Sequence, residues 1–136
     1  QLKRDFPVLT ILINGGIQSL AEVQNHLMHT DGVMLGRTAY HEPYRLAELE
    51  HALFGTPLPD RMALIRQMRE YTERHLAEGG KLNHISRHLL GLFQGLPGAR
   101  GWRRHLSENA HRDNADWGVV ERALAPIREP VRVPAA

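Results

Sequence analysis

An α/β segment followed by an all-α segment is the fold class this 136-residue sequence predicts, and three observations predict it. Two short apolar runs, Val8–Ile13 and Gly32–Gly36, flank one amphipathic stretch and each stops at glycine. From Asp60 onward apolar residues recur only at helical spacing. Gly55, Pro57 and Pro59 separate the two patterns. The expected division is therefore 1–55 for the α/β piece and 56–127 for the helical piece, with 128–136, which carries two prolines, as a disordered tail.

Within the first piece, residues 1–8 read as the end of a helix running into a strand. VLTILI (Val8–Ile13) is nearly continuous and rich in β-branched residues, as expected of a strand buried on both faces of a parallel sheet. Asn14-Gly15-Gly16 ends it. Ser19-Leu20-Ala21-Glu22 has the S-x-x-E form of a capping box, preceded by Ile17 as a staple residue, and Leu20, Val23 and Leu27 line one helix face. Asp31-Gly32 breaks that helix, and Gly32-Val33-Met34-Leu35-Gly36 is the second strand. A crossover of this length joins parallel strands, so both glycine-containing ends belong at the same sheet edge. Pro43 opens a further helix through Leu53.

In the second piece Leu64, Ile65, Met68, Tyr71, Thr72, His75 and Leu76 form a stripe. Opposite charges four apart (Arg66/Glu70, Arg69/Glu73, Glu70/Arg74, Arg74/Glu78) read as its solvated face. Gly79-Gly80 stops it, and further helices are expected over 83–93, 98–112 and 116–125.

Composition narrows the class further. Hydrophobic residues make up 42% and charged residues 24%, the balance of a globular chain. No run reaches the ~18 apolar residues of a membrane span. The absence of cysteine excludes disulfides, thiolate metal sites and a cysteine nucleophile in this stretch, and accords with a reducing cytoplasm. Gln1 at the first position and the missing leader pattern suggest a fragment. Two strands do not close a barrel, so the N-terminal piece alone is expected to be loosely packed, domain-swapped or paired with another chain.

Parallel strands that both end in glycine gather main-chain N–H groups around one point, where no Cβ blocks an anion. A helix N-terminus after Asn14-Gly15-Gly16 adds partial positive charge, and Arg37, next to Gly36, supplies a charged donor. In (β/α)8 barrels the loops after strands seven and eight commonly form such a phosphate site. Each glycine signal alone is more often a plain turn, and Arg37 alone more often a surface or ion-paired arginine. Their recurrence at matching positions of consecutive βα units is what favours phosphate.

The net charge of +2 is concentrated downstream: between His84 and Arg112 five arginines face one acid, Glu108. At about 100° per residue, Ala99, Trp102, Leu106 and Ala110 gather on one side of a helix and Arg100, Arg103, Arg104, Ser107 and His111 on another. That face is either a phosphate-gripping surface or a solvated one with Glu108 pairing Arg104, and the residues alone leave both open.

The strings INGGI (Ile13–Ile17), DGVMLGRTAYHEPY (Asp31–Tyr44), HISRHLLGLFQGLPGAR (His84–Arg100) and WRRHLSENAHR (Trp102–Arg112) resemble the C-terminal half of the A-subgroup tRNA-dihydrouridine synthases. They span nearly the whole chain in order, and the later segments are specific in combination. Glu42 stands where a smaller polar residue is expected and Thr38 where alanine is common; neither is expected to touch the phosphate cradle.

The resemblance implies the last two β/α units of a TIM-type (β/α)8 flavin barrel, followed by a C-terminal tRNA-binding helical domain. It implies FMN, its phosphate held by Asn14, Gly15, Gly16, Gly36 and Arg37, and NADPH-dependent reduction of the C5–C6 bond of a D-loop uridine. In that family reduced FMN gives a hydride to C6 and a cysteine protonates C5. With no cysteine, this chain would hold no catalytic residue and be inactive alone. The similarity also favours tRNA at the basic face, with Arg100 and Arg103 foremost and Arg104, Arg87 and His84 in support.

Two other readings remain at this stage. One is a non-enzymatic RNA-binding helical module; the other is a different phosphate-binding barrel acting on a sugar phosphate, which leaves the basic helix unexplained. His84 and His88 have the spacing of two helical metal ligands, but no third ligand stands out and no metal is expected. Trp102 suits the core better than a stacking base, and Tyr40, His41 and Tyr44 suit the flavin rim or packing against the helical piece.

Overall fold

Lys3 anchors the start of the chain: its ammonium donates to the carbonyls of Pro7 (3.0 Å) and Leu9 (2.7 Å) and pairs with Asp31 at 2.8 Å. The computed structural model describes residues 1–128. They fall into two compact units that divide after Leu58.

The first unit runs α1 (Leu2–Asp5), β1 (Leu12–Asn14), α2 (Leu20–Leu27), β2 (Gly32–Met34), α3 (Arg37–His41) and α4 (Tyr44–Phe54). The strands pair in parallel, Leu12 opposite Gly32, Ile13 opposite Val33 and Asn14 opposite Met34, so both C-terminal ends lie at one edge. The capping box of α2 forms: Ser19 Oγ accepts from the Glu22 N–H, and the Glu22 carboxylate takes the Ser19 N–H at 2.9 Å. Ile17, Val23 and Leu49 make a buried cluster against which Ile13, Leu20, Val33, Leu35 and Leu53 pack. Gly55, at φ +71°, closes α4 in the left-handed conformation.

The first strand departs from expectation. It covers three residues rather than Val8–Ile13, Val8 is 92% exposed, and Leu12 is 63% exposed. Side chains alternate across a strand, so Ile13 meets the helical layer while Leu12 faces away from it. A two-stranded sheet with one covered face cannot bury both sides.

The second unit holds α5 (Arg61–Ala77), α6 (Asn83–Ser86), α7 (Ala99–Asn109) and α8 (Trp117–Leu124), with α7 and α5 packed on α8 and α6 on α7. Asp60 and Asp116 cap α5 and α8 by accepting from Ala63 N–H and Gly118 N–H. Tyr71 lies off the core at 55% exposure, while Ile65 and Thr72 carry the buried stripe of α5. Arg69 pairs with Glu73 at 2.8 Å, and Glu70 with Arg74 at 3.8 Å.

The helix expected over 83–93 stops at Ser86. Beyond it the chain advances by three-residue turns, His88 N–H to Ile85 O, Leu89 to Ser86, Leu92 to Leu89 and Gln94 to Gly91. Side chains reach carbonyls there as well: the Trp102 indole N–H donates to Leu89 O (3.1 Å), beside the Leu92 N–H, and Arg61 donates to Leu92 O (3.0 Å). Apolar spacing is similar in both helix types, so periodicity did not separate them. Arg128 donates its N–H to Pro97 O at 3.2 Å; the rest of the expected tail, 129–136, lies outside the described residues. Among the described residues no helix is long and apolar enough to cross a membrane.

Candidate functional site

The parallel register brings the loop after β1 and the loop after β2 to the same edge, and a cavity of about 220 Å³ lies between them. Asn14, Gly15, Gly16, Gly36 and Arg37 all line it, together with Ile17, Gln18, Met34 and Thr38. None of these nine residues is acidic. Gly15 and Gly16 have φ of +134° and +66°, a region that side chains with a Cβ seldom enter. A Cβ built on either meets no protein atom within 4 Å, so the lining there is bare main chain beside open space. Gly36 differs: its φ is −96°, and a Cβ would make ordinary contact with Met34.

The donors are available. Among the described residues, the N–H groups of Gly16 and Ile17 make no hydrogen bond, and the exposed Arg37 guanidinium has neither a hydrogen bond nor an ion pair. The start of α2, expected to contribute, is already occupied: the Glu22 carboxylate takes the Gln18 N–H (2.8 Å), the Ser19 N–H and the Ser19 hydroxyl. These bonds, the Gln18 amide foremost, hold the Glu22 carboxyl below its ordinary range. The chain's own carboxylate therefore fills the helix N-terminus, which leaves the glycine loop and Arg37 with the unpaired donors of the cavity.

Thr38 was expected to stay clear of this place, but it lines the cavity and donates its hydroxyl proton to Ile17 O at 2.8 Å. It stands on α3, a five-residue helix too short to show a period in the sequence. A polar depression adjoins the cavity, sharing Gln18, Arg37 and Thr38 and adding His41 and Arg45, whose guanidinium is held by Glu42 and Glu48, each at 2.9 Å. Of the aromatic residues considered for a rim, Tyr44 is buried and Tyr40 is exposed.

In the second unit α7 has the two faces its sequence predicts. Ala99, Trp102, Leu106 and Ala110 are buried, and Arg100, Arg104 and Ser107 are exposed. Trp102 is fully buried and meets Phe93 edge-on at 5.0 Å, a core position that rules out stacking on a base. Arg103 is half-buried and donates to Gln94 at 2.8 Å. Arg100 and Arg104 have no hydrogen-bonding or ionic partner among the described residues, so Glu108 does not hold Arg104. Arg87 donates to His88, and the His84 ring stands 5.6 Å from that of His75; no described hydrogen bond or ion pair links Arg87 or His84 to the α7 arginines. Since α6 ends at Ser86, His84 and His88 do not share a helix as two metal ligands would. Among the described residues no group of three or more His, Cys, Asp or Glu could hold a metal ion.

The family model described as dihydrouridine synthase (Dus) matches residues 1–128. The chain is 57% identical over 129 residues to the tRNA-dihydrouridine(20/20a) synthase of Vibrio cholerae, covering 93% of this chain and 39% of that protein. It is 55% identical over 130 residues to the enzyme of the same name from Shewanella oneidensis (94% and 39%) and 58% identical over 131 residues to that of Salmonella typhimurium (95% and 40%). The chain thus spans about two fifths of the length of these relatives. With the family model covering all of the described residues, the chain belongs to the dihydrouridine synthase family.

Proposed function

We propose that this chain is the C-terminal part of an FMN-dependent tRNA-dihydrouridine synthase, contributing the last two β/α units of its barrel and a tRNA-binding helical domain. The observation that carries this reading is the convergence of Asn14, Gly15, Gly16, Gly36 and Arg37 on one acid-free cavity. Its volume of about 220 Å³ suits a phosphate group rather than a whole ligand, which commonly takes about 300–1,000 Å³. These residues would hold the FMN phosphate, the Gly16 and Ile17 amides and the Arg37 guanidinium sharing its charge. The flavin held there would supply hydride-transfer chemistry for the reduction of a tRNA uridine, with NADPH as reductant. This chain's part is to bind and orient, since it holds no thiol to protonate C5. The unpartnered guanidinium groups of Arg100 and Arg104, with Arg103 beside them and Arg87 and His84 on the neighbouring element, would contact tRNA phosphates. A tRNA substrate is consistent with a cytoplasmic enzyme.

The test is a full-length protein containing this chain. It should purify yellow and form dihydrouridine in tRNA, and Arg37→Ala should lower FMN retention about tenfold or more without unfolding the protein. A correctly folded full-length protein that stays colourless and takes up no FMN overturns the reading. The free arginines of α7 also support a second reading, a non-enzymatic RNA-binding helical module. Salt-dependent tRNA binding unchanged by FMN and by Arg37→Ala, with no uridine reduced, would favour it.

A further inference from the structure

Past the last ladder pair, Asn14 opposite Met34, the hydroxyl of Thr38 reaches across to the carbonyl of Ile17, 21 residues away, at 2.8 Å. Ile17 is itself fixed: it is 5% exposed, in the buried cluster with Val23 and Leu49. The residues just before it are the reverse. Gly15 and Gly16 carry no side chain and sit at positive φ, so nothing local restrains their amides. Arg37 precedes Thr38 in the chain, so one hydrogen bond links the residue that follows Gly16 to the residue that follows Arg37.

We propose that Thr38 is a positioning residue for the anion site: by holding the Ile17 carbonyl it fixes the spacing between the Gly16 and Ile17 amides and the Arg37 guanidinium, so that a phosphate meets both at once. This rests on the reading of the cavity as a phosphate site. Thr38 lines that cavity, but its hydroxyl has one proton and Ile17 O takes it, so Thr38 does not also donate to the anion while the tether stands. Its action is through its neighbours. An alanine, the residue the family resemblance led us to expect here, has no such tether, and a chain carrying it must order the glycine loop on binding.

Inorganic phosphate titrated into the FMN-free full-length protein that contains this chain, followed by the NMR shifts of the Gly16 and Ile17 amides, tests this. Thr38→Val keeps the shape and removes the donor; it should weaken phosphate binding about three- to tenfold, the equivalent of one neutral hydrogen bond. Thr38→Ser restores the donor and should bind as the parent does, which a purely structural role for the methyl group would not produce. Thr38→Ala gives the same comparison should valine prevent folding, and unfolding midpoints of all variants show whether they are folded. Equal affinity in parent, Thr38→Val and Thr38→Ala, with Arg37→Ala still weakening binding, overturns the tether and leaves the phosphate site standing. Serine as weak as valine also overturns it. No binding by the parent or any variant overturns the phosphate reading itself, and the role of Thr38 with it.

Discussion

Gly15 and Gly16 show how much of the site is backbone conformation. At φ +66°, Gly16→Ala has open space for its methyl yet must hold a left-handed backbone, which costs about 1 kcal/mol. Gly15 at φ +134° lies farther from any region open to alanine, and Gly15→Ala should cost about 1–3 kcal/mol. Denaturant unfolding should rank the two in that order. Glu22 and Asp31 add a pH dependence. The first is held low by the Gln18 and Ser19 amides and the Ser19 hydroxyl, the second by Lys3 and the Ile11 N–H. Because both folded-state values are depressed, their stabilisation is fully present above the ordinary carboxylate range and is lost as pH falls from that range through the lowered values. Thermal unfolding of the first unit should weaken across that acid window, and Glu22→Gln with Asp31→Asn should flatten the dependence. None of this extends to Gly36, whose negative φ sets no such requirement.

Among the elements, α7 depends most on its neighbours. Gly98 caps it at φ +91°, and a Cβ there would fall 2.3 Å from Pro126 O and 2.9 Å from Ile127 Cα. Gly98→Ala should therefore destabilise the second unit by at least about 2 kcal/mol, read from its unfolding midpoint in denaturant. Trp102→Ala removes a fully buried ring and one of the two donors to Leu89 O, a loss of about 3–5 kcal/mol by the same measurement. The apolar and basic faces of α7 were readable from spacing because the helix spans about three turns. The end of α6 at Ser86 was not, since the carbonyls that leave the helical pattern do so to meet Trp102 and Arg61, residues far away in sequence. The five-residue α3 carries too little pattern to be seen at all.

For the whole molecule, the small net charge of +2 hides a local excess that can act only where its cations are unpaired. Arg100 and Arg104 meet that condition, whereas Arg103 is partly held by Gln94. In a tRNA-binding titration across salt concentrations, Arg100→Ala and Arg104→Ala should each weaken binding and make the slope of log K against log salt shallower by about 0.7–0.9. Unchanged slopes would remove those residues from the interface. The sequence alone determined the parallel strand–helix–strand unit, the capping box at Ser19, the two faces of α7 and the five residues of the proposed cradle, because these follow from local spacing and from where glycine interrupts it. Tertiary structure decided the exposure of Leu12, the occupation of the α2 start by Glu22, the ending of α6 and the tether from Thr38 to Ile17. Each of those turns on which donor meets which acceptor, or which face is covered, once the chain has folded, and spacing along the chain does not encode that choice.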